Sequence, residues 1–261
     1  MRLKNKVALI SGSGSGIGEA TAKRLAQEGA AVAVVDLNEE GARRVAEEIR
    51  KAGGVAEAHK ANIANPADVE GMIKFAVDKF GRLDILHNNA IRLYTGRVGD
   101  MTLDQFRKTV EVGLTAYFYS TQCALKVMVP QGAGSIINTG SISGLFGDYG
   151  LGAYNAIKAG VINLTRTTAI EYARKGIRCN AVCPGAIKTP PILKSIAASS
   201  DQGKAMERII PMGRYGEPVE IANVVLFLAS DESSYVNGAY IVADGGITAH
   251  TGMPQSFGSA D

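Results

Sequence analysis

Short apolar runs alternate with longer segments of helical spacing along most of the chain. The runs fall at 6–11, 31–36, 55–61, 83–87, 135–139, 178–183 and 239–242. Between them, over 17–28, 39–52, 66–80, 103–129, 152–174 and 218–229, apolar residues recur with the period of one helix face. Strand, helix, strand in tight succession predicts a parallel sheet with helices on both faces. The run "AAVAVVD" is apolar at consecutive positions rather than alternate ones, as a strand covered on both sides requires. No linker or low-complexity segment interrupts the pattern, so a single domain over 1–261 is expected. Two regions break the regularity. The connection 186–212 carries Pro190, Pro191 and Pro211 and is long enough for a lid with its own helix. The polar tail 248–261 contains Gly252, Pro254 and Gly258 and reads as irregular.

Composition narrows the setting. The 261 residues include 31 glycines, which points to many tight turns or close backbone approaches. A net charge of +3, with no basic cluster interleaved with aromatics, gives no support for a nucleic-acid partner. No apolar run approaches bilayer length, so no membrane partner is expected. The basic start is followed by too few apolar residues for a signal-peptide core. Three cysteines without a CxxC pair favour reduced thiols over a disulfide frame or zinc site. The expectation is a cytoplasmic protein without a metal site.

The first strand runs into "SGSGSGIG", residues 11–18. A glycine-rich turn between strand and helix gathers backbone N–H groups and a helix N-terminus at one point, which suits a phosphate. A P-loop is excluded, because Ile17-Gly18-Glu19 stands where Gly-Lys-Ser/Thr is needed. The spacing G-x-G-x-x-G does not fit; G-x-x-x-G-x-G does, on Gly12, Gly16 and Gly18. The second strand ends at Asp36, about 20 residues on, where a carboxylate can accept hydrogen bonds from an adenosine ribose and repel a 2′-phosphate. Leu37 and Ser15 bring no positive charge to that point. Together these predict a dinucleotide site that prefers NAD to NADP.

In "SISGLFGDYGLGAYNAIKAG", Tyr154 and Lys158 stand four apart and share one helix face. An ammonium one turn away, with the positive nicotinamide of an oxidised cofactor, favours the phenolate. A phenolate can take a hydroxyl proton while hydride leaves the same carbon. Ser141, just past the strand at 135–139, could hold the substrate oxygen.

With these motifs in place the chain resembles the short-chain dehydrogenases/reductases over nearly all of residues 4–247. The matching segments are "SGSGSGIG", "NNA" at 88–90, Ser141, "YNAIK", "CNAVCPGAIKT" and "VADGG". The resemblance implies a doubly wound α/β Rossmann domain with a seven-stranded, mostly parallel sheet. It implies Ser141, Tyr154 and Lys158 as catalytic residues. It places Gly12, Ser15, Gly16, Ile17, Gly18, Asp36 and Leu37 around the cofactor, with Asn62 and Ile63 at the adenine and Asn89 under a ribose. Pro184, Gly185, Ile187 and Thr189 would meet the nicotinamide end, and Lys158 would hold the nicotinamide ribose. A homotetramer paired through the helices at 103–129 and 152–174 is also implied.

Two positions depart from the family pattern. Gly113 in "EVGLTAYF" stands where the family carries an Asn that supports a water relay to the lysine. Ile91 stands where the family mostly has Gly. Gly113 is expected to keep a local helix distortion, and restoring Asn there to change kcat little. The residues expected at the substrate, including Ile91, Leu93, Tyr94, Ser143, Leu145, Phe146, Tyr149, Ile187, Ile192, Leu193 and Ile196, are mainly apolar with a few hydroxyls. A hydrophobic secondary alcohol or ketone, cyclic or bulky, is the leading small-molecule substrate. A 3-oxoacyl-carrier-protein reductase is the alternative, although that activity usually goes with NADPH. A cofactor-binding regulator or scaffold without turnover is a third reading.

Overall fold

In a computed structural model of the chain, which describes residues 1–251, seven parallel strands form one sheet. They are β1 (Val7–Ser11), β2 (Ala31–Asp36), β3 (Val55–Lys60), β4 (Ile85–Asn88), β5 (Gly134–Thr139), β6 (Ile177–Pro184) and β7 (Tyr240–Ala243). Their order is β3-β2-β1-β4-β5-β6-β7, and every pairing is parallel. The order reverses between β1 and β4, and in such sheets that switch point opens a crevice beyond the carboxyl ends of the strands. This is a Rossmann-like doubly wound fold.

Nine helices occur among the described residues: α1 (Gly16–Gln27), α2 (Glu39–Lys51), α3 (Pro66–Phe80), α4 (Leu103–Val110), α5 (Ala116–Gln131), α6 (Gly152–Tyr172), α7 (Pro190–Ala198), α8 (Ser200–Ile209) and α9 (Pro218–Ala229). All five residues of β1 are buried, because apolar layers cover both faces of the sheet. On one face Leu25 of α1, Val45 of α2 and Val225 of α9 pack on Ala8, Val32 and Ile137. On the other, Met72 of α3 and Met128 of α5 pack on Leu9, Leu86 and Ile136. Consecutive apolar positions in the central strands thus serve both layers.

Local chemistry sets the helix ends. Asn38 and Asn65 cap α2 and α3 through their side chains, and Thr102 with Gln105 forms a capping box on α4. The long helix expected over 103–129 is interrupted. A π turn, Glu111–Thr115, separates α4 from α5 and contains Gly113. The connection 186–212 holds two helices, α7 and α8, where one was expected. Of the tail expected to be irregular, Ile247–Ala249 forms a 3-10 turn, and residues 252–261 lie outside the described residues. Cys123, Cys179 and Cys183 are free and buried.

Candidate active site

Because all strands run the same way, the residues after each carboxyl end meet along one edge. Ser11–Gly18 follows β1, Asp36 and Leu37 close β2, and Asn62 and Ile63 follow β3. Asn89 follows β4, Ser141 follows β5, and Pro184, Gly185, Ile187 and Thr189 close or follow β6. These residues therefore line the crevice end of the sheet, and Lys158 of α6 reaches the same end through its bond to Thr139 O.

The glycine turn is shaped by contact. A Cβ on Gly18 would overlap the Gly12 carbonyl, so α1 can approach β1 this closely only without that atom. Gly12 has φ +66°, and a Cβ there would stand 2.8 Å from Cα of Ala90. Ser15 occupies the N-cap of α1 without capping it through its side chain, so the first N–H groups of the helix remain available to an anion. Gly14 N donates to Asp36 Oδ2 at 2.8 Å and Asn38 N to Asp36 Oδ1 at 2.8 Å. The carboxylate is thereby fixed beside the turn, with lone pairs left for hydroxyl donors. Asn89 braces the turn: its Nδ2 donates to Ser11 O at 3.2 Å and Gly12 O at 3.1 Å. Thr189 packs near Gly16, where a Cβ would lie 3.3 Å from the threonine methyl. Ile187 is buried and bridges to Gly216. These features fit a dinucleotide: uncapped helix donors for the pyrophosphate, a fixed carboxylate at the next strand, and a threonine over the turn.

Leu37 and Ser15 bring no charge to the turn, but a cation from α2 lies near it: Arg44 Nη2 donates to Gly14 O at 3.0 Å. Its charge is already engaged by Glu19 at 2.6 Å and Glu48 at 2.8 Å, and Lys23 reaches both carboxylates at 2.5 Å. Arg44 sits eight positions beyond Asp36, on the helix rather than in the turn, so inspection of the turn alone misses it.

Ser141, Tyr154 and Lys158 converge. Ser141 begins the 3-10 turn Ile142–Gly144, and its Oγ accepts from Ser143 N at 3.1 Å. That turn lies on α6, since a Cβ on Gly144 would stand 2.6 Å from the Lys158 carbonyl carbon. The Ser141 hydroxyl lies beside the Tyr154 phenol, where it acts to lower the titration of that phenol. Lys158, 1% exposed, donates from Nζ to Thr139 O at 2.6 Å. Its Nζ lies 5.5 Å from the Tyr154 ring centroid and 5.4 Å from that of Tyr117.

Electrostatics here differ from the sequence expectation. Burial pushes Lys158 down to about 7, with only the neighbouring Cys183 opposing. Burial also raises the Tyr154 phenol, against the lowering effect of the Ser141 hydroxyl, and the Asp148 carboxylate pushes it further up. In the protein alone, desolvation outweighs the tyrosine–lysine pairing that was expected to favour the phenolate, because no carboxylate offsets the burial of the ammonium and the one that acts on the phenol disfavours its charged form. His87 is held neutral, down to about 3, by burial and then by Lys158. Its Nε2 pairs with Thr139 Oγ1 at 2.9 Å, while Nδ1 and the Tyr117 hydroxyl have no protein partner. Tyr117 and His87 were not singled out from the sequence. Tyr117 reads there as one more apolar helix position, and His87 as the end of a strand.

The expected distortion at Gly113 is present as the π turn. A Cβ on Gly113 would overlap Ile157 Cδ1, so any side chain requires that buried isoleucine to move.

A Rossmann-like sheet with a nucleotide-shaped turn and a Ser–Tyr–Lys cluster defines a dinucleotide-dependent oxidoreductase. A family model described as "Enoyl-(Acyl carrier protein) reductase" matches residues 12–248. Cyclohexanol dehydrogenase of Acinetobacter sp. (strain SE19) is 44% identical over 249 residues, 95% of this chain and 97% of that protein. The 3-oxoacyl-[acyl-carrier-protein] reductase FabG of Thermotoga maritima is 40% identical over 247 residues, 95% of this chain and 99% of that protein. A crystal structure of levodione reductase superposes with a TM-score of 0.91 at 38% identity, covering 95% of this chain and 99% of that one. The chain belongs to the short-chain dehydrogenase/reductase family. It is an oxidoreductase that uses a nicotinamide cofactor.

Proposed function

We propose that the enzyme moves a hydride between NAD(H) and a hydrophobic secondary alcohol or its ketone, with a six-membered ring alcohol as the leading substrate. The observation that carries this reading is the convergence of Ser141, Tyr154 and Lys158, with Lys158 buried, its Nζ 2.6 Å from Thr139 O at the carboxyl end of β5 and 5.5 Å from the Tyr154 ring centroid. The cofactor, when bound, supplies the hydride acceptor and a positive ring in its oxidised form. Ser141 orients the substrate oxygen, and Tyr154 takes its proton as hydride departs; in reduction the phenol returns it. Lys158 adds positive charge that favours the phenolate once the cofactor fills the crevice. Gly12, Ser15, Gly16, Ile17 and Gly18 take the pyrophosphate, and Asp36 with Leu37 takes the adenosine ribose. Asn62 and Ile63 flank the adenine. Asn89 acts chiefly by holding the turn in shape. Pro184, Gly185, Ile187 and Thr189 face the nicotinamide. Asp36 repels a 2′-phosphate, and Arg44 is neutralised by Glu19 and Glu48, which supports NAD over NADP.

Ile91, Leu93, Phe146 and Leu193 are apolar and at least 41% exposed, which suits an apolar substrate entering beneath α7 and α8 acting as a lid. The likeness to cyclohexanol dehydrogenase and levodione reductase favours a ring. The similarity to the acyl-carrier reductase of Thermotoga maritima keeps an acyl substrate as the second reading. Phe118 on α5 and Ile170 on α6 are exposed apolar side chains, which supports pairing of these helices in a homotetramer; sedimentation velocity tests it. A cytoplasmic location is part of the same reading. No helix among the described residues is long and apolar enough to cross a membrane.

The test is a panel of ring and open-chain secondary alcohols with NAD and NADP, alongside a 3-oxoacyl thioester with NADH and NADPH. The reading expects NAD-linked oxidation of cyclohexanol to exceed thioester reduction. Thioester reduction with NADPH as the dominant activity would replace it.

A further inference from the structure

Among the described residues the ammonium of Lys158 has one hydrogen-bond acceptor, Thr139 O at 2.6 Å, and two ring faces. Its Nζ lies over the Tyr117 ring, 5.4 Å from the centroid, and over the Tyr154 ring at 5.5 Å. Tyr117 is 0% exposed and Lys158 1%, so the contact between them is sealed from bulk water. Tyr117 occupies the first turn of α5, directly after the π turn, and its hydroxyl has no protein partner. No carboxylate acts on the ammonium: Cys183 of β6 is the one group that opposes the effect of its burial, and His87 of β4 is neutral. On the other elements packed against α6, Asp104, Arg107 and Glu111 are exposed, and Lys108 is paired with Asp104 at 2.7 Å. Asp148, in the loop before α6, acts on Tyr154 rather than on the lysine.

We propose that Tyr117 is a positioning residue for the acid–base pair: its ring face holds Lys158 in the ammonium form. The negative face of an aromatic ring attracts a cation, and the attraction grows when both groups are out of water. Tyr154 offers a second face, but that ring carries the proton exchanged in the proposed reaction, so its charge changes during turnover. Tyr117 presents a constant face, since burial holds its phenol protonated. An ammonium kept charged by Tyr117 in turn favours the Tyr154 phenolate. That last link rests on the acid–base roles proposed above; the contact between ring and ammonium does not. A space-filling role alone would need only a side chain of the right volume, and the titration of Lys158 would then be indifferent to the electrons of the ring.

The experiment reads the titration of Lys158 in the cofactor-free protein. Calorimetry from about pH 5.5 to 10 gives the Tm gap between each protein and its Lys158→Met counterpart, in three backgrounds: wild type, Tyr117→Phe and Tyr117→Met. The gap widens as pH falls and levels off where the folded-state lysine is fully charged, near pH 7 in wild type. Tyr117→Met is expected to move that plateau about one pH unit lower, a tenfold loss of proton affinity and the scale of a desolvated cation–π contact. Tyr117→Phe keeps the ring and should leave the plateau in place. An unmoved plateau in the Met background overturns the proposal, and so does an equal shift with Phe, which would assign the effect to the hydroxyl. Should Tyr117→Met fail to fold, a ring-fluorinated phenylalanine at position 117 decides: it fills the same space with an electron-poor face and must lower the plateau relative to Phe, and an unmoved plateau overturns the proposal. NAD-linked alcohol oxidation tests the second link. The acid limb of the kcat profile should move to higher pH in Tyr117→Met and stay in place in Tyr117→Phe; an unmoved limb beside a shifted plateau overturns the positioning role. Absence of alcohol oxidation in wild type would remove the proposed function alone, since the plateau still reports on Tyr117.

Discussion

Replacing Lys158 with Met should make the cofactor-free protein more stable at neutral pH while abolishing turnover. Lys158 is enclosed, with Thr139 O at 2.6 Å as the partner of its ammonium. Burial lowers its titration from the ordinary 10.5 to about 7. Between those values the unfolded chain binds the proton and the folded chain does not. Stability therefore rises with pH from about 7 toward 10.5, and the cost of the buried ammonium is greatest below 7. At roughly 1.4 kcal/mol per pH unit, that cost is at most about 5 kcal/mol. Methionine removes the charge but leaves the Thr139 carbonyl without its donor, which costs about 1–3 kcal/mol. The net gain is about 2–4 kcal/mol, or roughly 4–16 °C in Tm for a chain of this size. Calorimetry of both proteins across pH 6.5 to 10, in the range where this lysine titrates, reads the difference directly. The Tm gap should be widest at the acid end and shrink as the wild-type lysine discharges. A gap independent of pH, or a methionine variant less stable throughout, would refute the assigned burial cost.

Two other perturbations follow from the cofactor crevice. Asp36→Ser should raise kcat/KM with NADP roughly 10- to 100-fold, by removing a like charge that costs several kcal/mol at close range; an unchanged NAD-to-NADP ratio counts against the role of Asp36. Gly18→Ala places a methyl on the Gly12 carbonyl, and should abolish NADH binding and lower stability by about 1–3 kcal/mol; wild-type affinity in a fluorescence titration would contradict this.

Much of the architecture was legible because its causes are local. The apolar run at 31–36 and the strand Ala31–Asp36 coincide, since a strand buried on both faces admits little else. The glycines at 12, 16 and 18 marked the turn through their spacing. What the sequence concealed depends on distant residues meeting. Arg44 reaches Gly14 only because α2 folds back over the turn. Tyr117 lies near Lys158 only because α5 and α6 pack side by side. The shift of Lys158 likewise reflects burial, which no spacing of Tyr and Lys encodes. Gly113 was visible as an anomaly, but its cause, the side chain of Ile157, came from another helix.

The central claim is that Tyr154 exchanges the substrate proton during hydride transfer to NAD. Its most direct test is the initial rate of NADH formation from NAD and cyclohexanol, measured for wild type and Tyr154→Phe at saturating cofactor. The account predicts that kcat falls about 10²-fold or more, the usual worth of a general acid–base group, while NADH affinity stays within about twofold because the ring is retained. Near-normal turnover by the phenylalanine variant would contradict it.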